Sequence, residues 1–171
     1  RAAFGAAPNT TVRASNSVQW LMPSGWNGLE GGLMLAAGEG GTAANGQHQV
    51  RGLRLGVTRG AFNVSAALTR TESDLTVATG RFQDRVVAGL YDFGVVRMSV
   101  ALRRLDQASA RQDNLLIGAW VPLGAGELKA SWHRVEFSGR VGNTVLDANG
   151  ARQFGLGYVH NLSKRTALYG T

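Results

Sequence analysis

Apolar and polar residues alternate one by one along most of this chain, in stretches of about ten residues that are separated by turn-forming residues. The stretch 96–103 shows the pattern most clearly, with one set of alternate positions occupied by Val96, Met98, Val100 and Leu102 and the other by Arg97, Ser99, Ala101 and Arg103. Successive side chains of a β-strand point to opposite faces of a sheet. The alternation therefore predicts strands with one apolar face and one polar face.

The same pattern predicts about ten strands. They lie near residues 11–22, 29–37, 49–59, 62–71, 81–93, 96–105, 113–121, 127–136, 151–160 and 165–171. Most of them have the roughly 9 to 11 residues that a tilted strand needs to cross a bilayer. The segments 81–93 and 113–121 alternate poorly, and the pattern does not assign their faces.

The connections predict how the strands pair. Short turns at 23–28, 59–61, 93–95, 122–126 and 161–164 alternate with longer loops at 38–48, 72–80, 106–112 and 137–150. We therefore expect an all-β fold, an antiparallel up-and-down sheet with short turns at one end and long loops at the other, which is typical of transmembrane β-barrels of the outer membrane. Aromatic residues concentrate near the short turns, as expected at a membrane interface: Trp20, Trp26, Tyr91, Phe93, Trp120 and Tyr158.

Composition narrows the class of protein further. The chain has 171 residues, with 24 glycines, 3 prolines and no cysteine, which excludes disulfides and thiol chemistry. It contains no run of about 18 apolar residues, so it encodes no transmembrane helix.

The net charge is +7, from 18 basic and 11 acidic residues, and 16 of the basic residues are arginine. Such an excess suits either an anion pathway or a soluble basic β-sheet that binds nucleic acid or another polyanion. A sheet that binds nucleic acid would carry arginines and aromatic residues interleaved on one face. Here the two kinds of residue mostly separate, which favours a channel and predicts no nucleic-acid partner.

If the polar face lines a water-filled lumen, the alternation places there Arg13, Arg54, Arg97, Arg103, Lys129 and His133, with Glu30 as the clearest inward acid. Fixed positive charges concentrate anions in a confined aqueous channel, and salt weakens the effect. The pattern thus predicts passive diffusion with a preference for anions.

Nothing in the sequence indicates an enzyme. The histidines His48, His133 and His160 fall on a long loop, a polar face and a short turn, and no two have the spacing of metal ligands. No nucleophile and base are brought together by a recognisable motif. We expect no catalytic residues, no metal and no cofactor.

Two segments resemble a known family. The segment Gly157 to Gly170, GYVHNLSKRTALYG, resembles the hairpin near the C-terminus of the Gram-negative general porins. The run Arg13 to Val18, followed by Trp20 and the turn 23–28, resembles the strand that follows the inward-folded constriction loop of these porins. In their anion-selective branch an arginine at the matching place lines the narrowest part of the pore, so the resemblance implies this role for Arg13.

The resemblance implies a bacterial outer-membrane channel in contact with the lipid bilayer, passing small anionic solutes and assembling as a homotrimer. Such porins have barrels of about sixteen strands, of which those predicted here resemble the sixth to the fifteenth. We therefore expect an internal fragment of a larger barrel, with residues 1–10 as the tail of the constriction loop and residues 11–171 as barrel strands.

Overall fold

The architecture was determined from a computed structural model, which describes residues 16–23, 26–38, 49–72, 81–141, 143–147 and 150–171. Within these ranges the chain forms eleven β-strands. They are β1 Ser17–Leu21, β2 Leu29–Ala36, β3 Val50–Arg59, β4 Phe62–Thr71, β5 Phe82–Asp92, β6 Arg97–Gln107, β7 Ala110–Leu123, β8 Gly126–Val141, β9 Thr144–Val145, β10 Gly150–Ser163 and β11 Thr166–Gly170. None of the described residues forms a helix long and apolar enough to cross a membrane.

The strands form one antiparallel sheet in which neighbours along the chain are neighbours in space, in the order β1-β2-β3-β4-β5-β6-β7-β8-β10-β11. The two-residue strand β9 pairs with the end of β8. The predicted all-β, up-and-down topology is confirmed. All ten predicted strands are present, although the described part of the first one begins only at Ser17.

The pairing register assigns a face to every strand, because residues directly opposite each other in an antiparallel pair lie on the same face. We call the two faces the polar face, which carries Arg54, and the apolar face, which carries Leu53. Leu53 lies opposite Leu68, and three strands further on Leu102 lies opposite Leu115, all on the apolar face. The register also resolves the two strands whose alternation was ambiguous: Val86, Ala88 and Leu90 of β5 and Leu116 of β7 lie on the polar face.

The five short turns predicted from the sequence all connect strands at one end of the sheet, whereas the two-residue turn between β6 and β7 lies at the opposite end. Gly28 ends the first of them with φ +84°, a conformation that side chains with a Cβ rarely adopt. A Cβ on Gly28 would also collide with the carbonyl oxygen of Thr58, because Thr58 donates its backbone N–H to Gly28 O at 2.8 Å. Glycine at this position lets the turn close against the neighbouring strand β3.

Two of the predicted long loops prove to be largely strand. The segment 106–112 was expected to be a loop, but β6 and β7 pair as far as Gln107 opposite Ala110 and are joined by two residues. Alternating charged residues, Asp106 and Arg111 among them, face one side of this hairpin and resemble a polar loop in sequence. In the segment 137–150, β8 continues to Val141 and β9 pairs back onto it.

The buried side chains are few and are concentrated at the long-loop end of the polar face. Those of the described strands are Ala36, Val50, Thr71, Phe82, Leu105, Gln107, Ala110 and Gln112. Leu146, from the connection between β8 and β10, packs with Phe82, Leu105 and Ala110, and the partly buried Phe137 packs against them. This connection therefore folds over the polar face, whereas the apolar face is widely exposed.

Candidate functional site

The polar face gathers five of the six residues that the sequence predicts to line a channel. Arg54 shares it with Ala67, which lies opposite Val86, and Val86 lies opposite Arg103. The register places the remaining residues on the same face. Arg97 lies opposite Trp120, Trp120 lies opposite Lys129, and Leu116 lies opposite His133. The sixth predicted residue, Arg13, lies outside the described residues.

Arg54 of β3 forms an ion pair with Glu30 of β2, with Nη2 and Oε2 2.6 Å apart. The second carboxylate oxygen of Glu30 accepts a hydrogen bond from the Thr58 hydroxyl at 3.3 Å. Asn63 of β4 donates to the same hydroxyl at 2.5 Å. The predicted inward acid is thus held by two groups of β3, one of which also accepts a hydrogen bond from β4.

Arg103 of β6 forms a two-point contact with Asp84 of β5. Its Nε donates to Oδ1 at 2.9 Å, and its Nη2 donates to Oδ2. The planar guanidinium matches the two carboxylate oxygens, which fixes the orientation of both side chains.

A third cluster lies near the short turns. Arg97 pairs with Asp92 across the turn between β5 and β6, at 2.5 Å, and its guanidinium lies 4.4 Å from the centre of the Trp120 ring. The indole N–H of Trp120 donates to Glu127 at 2.6 Å, and Glu127 pairs with Lys129 at 2.5 Å. Trp120 therefore connects two ion pairs.

Trp120 also corrects one expectation. The sequence groups it with the aromatic residues of a membrane interface, but the register places it on the polar face under Arg97. Trp20, Tyr91 and Tyr158 lie on the apolar face near the short turns, as an interface requires. The irregular alternation of β7 hid this difference.

His133 stands apart from these pairs. It is half-buried, lies between Leu116 and Gln153 in the register, and makes no side-chain hydrogen bond within the part of the chain that the structure describes. Its imidazole is a polar group of the wall rather than a member of a charge network.

The polar face is neutral where the sequence predicts a row of positive charges. In the described strands, each of its arginines and its lysine pairs with one carboxylate: Arg54 with Glu30, Arg97 with Asp92, Arg103 with Asp84 and Lys129 with Glu127. Sequence reasoning found only Glu30 among these acids. Two of the pairs could have been recognised in the sequence. Asp92 and Arg97 flank one short turn, and Glu127 and Lys129 lie two residues apart on one face.

The basic partner is the more exposed member of every pair. The side chain of Arg103 is 46% exposed and that of Asp84 19%, and Lys129 is 54% exposed against 24% for Glu127. A molecule that approaches this face from solvent therefore meets N–H donors first, although the summed charge of the face is close to zero. Such a surface can donate hydrogen bonds to many small hydrophilic solutes without a strong long-range field.

A second feature of the polar face was not found from the sequence. The apolar cluster around Leu146 covers its long-loop end, and beside it Gln107 and Gln112 are buried, 6% and 8% exposed. The Gln112 amide donates to Asn114 at 2.9 Å. The sequence signal that could have revealed this cluster was the presence of apolar residues at polar-face positions near strand ends, namely Phe82, Leu105 and Phe137.

A wide up-and-down sheet that is apolar on one face and lined with charged and small polar residues on the other is characteristic of the channel-forming β-barrel proteins. Within that class, residues 2–171 match the Gram-negative porins, and the chain belongs to this family. This family assignment agrees with the expectation that the chain is not an enzyme.

The relatives agree with this assignment. The chain is 30% identical over 180 residues to outer membrane porin protein 32 of Delftia acidovorans, covering 99% of this chain and 48% of that protein. The chain thus spans about half the length of the curated relative that it matches.

Solved structures share the fold. A porin refined at 1.8 Å resolution superposes with a TM-score of 0.71 at 11% identity, over 88% of this chain and 53% of that one. OmpF of Salmonella typhi, in complex with daunomycin, superposes with a TM-score of 0.68 at 15% identity, over 90% of this chain and 52% of that one. OmpT of Vibrio cholerae superposes with a TM-score of 0.63 at 17% identity, over 90% of this chain and 51% of that one.

Proposed function

We propose that this chain forms part of the wall of a water-filled channel for passive diffusion of small hydrophilic solutes. The protein lies in the bacterial outer membrane, since it belongs to the Gram-negative porins and resembles outer-membrane proteins. The polar face lines the water and the apolar face meets the lipid bilayer. The observation that carries this proposal is the unbroken register, which puts the charged pairs on one face and the exposed apolar residues on the other.

Closure of the channel needs more strands than the described sheet contains. Among the described strands, β1 and β11 each pair on one side only. A free strand edge leaves backbone N–H and C=O groups unpaired, which hydrocarbon does not tolerate. We therefore propose that these strands are a continuous sector of a larger closed barrel.

We further propose that the closed channel prefers anions and that Arg13 carries most of this preference. The four basic residues of the described polar face are each neutralised by a carboxylate, so they add little net charge. Their greater exposure lets them donate hydrogen bonds to passing anions. Arg54, Arg97, Arg103, Lys129 and His133 line the pore in this proposal, with a secondary role in selectivity.

Reversal potentials of the closed channel, measured in planar bilayers under a salt gradient, test the proposal. Arg13→Glu should lower the preference for anions over cations, most clearly at low salt, where the Debye length is long. Glu30→Gln frees Arg54 from its partner and should raise the same preference. An ion preference that neither variant changes at low salt would contradict the proposal.

The homotrimer is a separate proposal, supported by the family resemblance. Native mass spectrometry of the closed channel in detergent should give the mass of three copies. A monomer that still conducts would contradict the trimer and leave the channel proposal standing.

A further inference from the structure

Much of the chain's positive charge lies on the apolar face, at its long-loop end. Among the residues paired between β3 and β4, from β5 through β8, and between β8 and β10, this end of the face carries three acidic residues, Asp106, Asp113 and Glu136, and seven arginines: Arg51, Arg70, Arg85, Arg104, Arg111, Arg134 and Arg152. These residues lie on the side of the sheet opposite to the paired charges described above. They are therefore not needed to explain a channel.

Six of these arginines form three cross-strand pairs. Arg51 lies directly opposite Arg70, Arg85 opposite Arg104, and Arg152 opposite Arg134. Like charges in directly opposed positions of a sheet are destabilising. Each of these arrangements would be relieved by a nearby anion.

One arginine of each pair already has a carboxylate partner. Arg70 pairs with Glu72 at 2.9 Å and Arg104 with Asp113 at 2.6 Å. Arg134 pairs with Glu136 in the same way.

The other arginine of each pair differs in this respect. Arg51, Arg85 and Arg152 are exposed, and none of them has an acidic partner among the residues that the structure describes. Arg85 donates a hydrogen bond to the neutral side chain of Gln83. Within the part of the chain that the structure describes, each pair thus presents one guanidinium without a carboxylate partner beside a second positive charge.

All three of these arginines border exposed apolar side chains on their own strands. The next residue on the same face is Leu53 after Arg51, Val87 after Arg85 and Phe154 after Arg152. These side chains are 42%, 53% and 68% exposed, respectively. The unpaired guanidinium groups therefore lie where an apolar surface gives way to a charged one. In a bilayer that boundary is the level of the lipid headgroups.

We propose that the three cross-strand arginine pairs bind the phosphate groups of lipids in the leaflet at the long-loop end. The planar guanidinium donates two parallel hydrogen bonds to a phosphate, and the neighbouring arginine adds a second positive charge. The adjoining apolar side chains contact the acyl chains of the same lipid, which selects a lipid phosphate over a soluble one. This proposal rests on the apolar face meeting lipid and is independent of the ion preference of the channel.

The test uses the closed channel in neutral detergent, with phosphatidic acid as the probe and native mass spectrometry as the measurement. Diacylglycerol with the same acyl chains controls for the apolar contact, and inorganic phosphate is the competitor. The channel should bind phosphatidic acid in preference to diacylglycerol, and inorganic phosphate should not displace it. In the triple variant Arg51→Gln, Arg85→Gln, Arg152→Gln, affinity should fall about fivefold at each site, since one arginine near a charged lipid contributes about 1 kcal/mol.

The triple variant Arg54→Gln, Arg97→Gln, Arg103→Gln removes the same number of charges from the polar face and should leave the affinity unchanged. The single variant Arg85→Gln relieves a like-charge contact, so it keeps the test open if the first triple variant does not fold. Unchanged affinity in the apolar-face variants, an equal loss in the polar-face variant, or full displacement by inorganic phosphate would each overturn the proposal. Single-channel conductance, recorded on the same preparations, reports separately on whether the channel proposal holds.

Discussion

At the scale of single residues, the charges of the polar face act as pairs. Arg54 and Glu30, or Arg103 and Asp84, cancel each other at a distance while the basic member extends further into solvent. Exposed pairs of this kind contribute little to stability, at most about 1 kcal/mol each. In the proposed channel, their main consequence is a wall that offers hydrogen-bond donors without a large net charge.

Single glycines decide how the long-loop end is built. Gly139 of β8 has φ +84°, and a Cβ placed on it would collide with the carbonyl oxygen of Ser109 in the turn between β6 and β7. Gly60, in a short turn, has φ +55° but no neighbouring atom within 4 Å of such a Cβ. A comparison of alanine variants at the two positions therefore separates the free-energy cost of a steric collision from that of the backbone conformation.

We predict that Gly139→Ala destabilises the barrel more than Gly60→Ala does. The left-handed conformation costs about 1–2 kcal/mol in either variant, and the collision at Gly139 adds to it. Thermal unfolding in detergent, followed by circular dichroism, measures the difference. Equal losses would mean that the hairpin 107–110 moves freely away from β8.

At the scale of elements, Glu72 connects two strands at the long-loop end. It follows β4, accepts hydrogen bonds from Arg70 at 2.9 Å and from Arg81, just before β5, at 2.8 Å, and donates its backbone N–H to Gln49. Burial by itself would raise the pKa of Glu72, but the hydrogen bonds and charges of the two arginines outweigh it and hold the pKa below its usual range.

This lowered pKa predicts a pH-dependent contribution to stability. A carboxylate whose pKa is lower in the folded state stabilises the fold above its unfolded value of about 4.5, and the stabilisation is lost as the pH falls through the folded value. Wild type should therefore unfold at a higher temperature than Glu72→Gln at neutral pH. The difference should be small, under about 1 kcal/mol, because the pair is partly exposed.

The comparison of thermal midpoints across pH provides the check. The difference between wild type and Glu72→Gln should vanish as the pH falls well below 4.5. The double variant Arg70→Gln, Arg81→Gln should lose the same pH-dependent contribution to the thermal midpoint. A difference that persists at every pH would show that the glutamate acts by packing rather than by charge.

Elements were predictable from the sequence wherever side chains alternate strictly. This holds for β3, β4 and β6, whose faces the register confirms. Prediction failed where a strand leaves the membrane-facing pattern: the charged residues around Asp106 and Arg111 resemble a loop, yet they extend β6 and β7. The acids that neutralise the polar face were also missed, because Asp84 and Asp92 lie on a strand with irregular alternation and their partners are set by register.

At the scale of the whole molecule, the apolar face has an apolar band with a different border at each end. Trp20, Tyr91 and Tyr158 border it near the short turns, and arginine pairs border it near the long loops. The polar face is bounded at the long-loop end by the buried cluster around Leu146. These two surfaces, rather than any single residue, support the proposed role of the sheet as a channel wall.

The orientation of the two faces is the central claim, and alternate cysteine substitutions along β6 test it most directly. Ser99 and Ala101 lie on the polar face, and Val100 and Leu102 on the apolar face. Each is replaced singly by cysteine in the closed channel, embedded in a bilayer and treated with a charged thiol reagent that does not enter hydrocarbon. We predict rapid labelling at positions 99 and 101 and protection at positions 100 and 102. Labelling at 100 and 102 with protection at 99 and 101, or equal labelling at all four, would contradict the account.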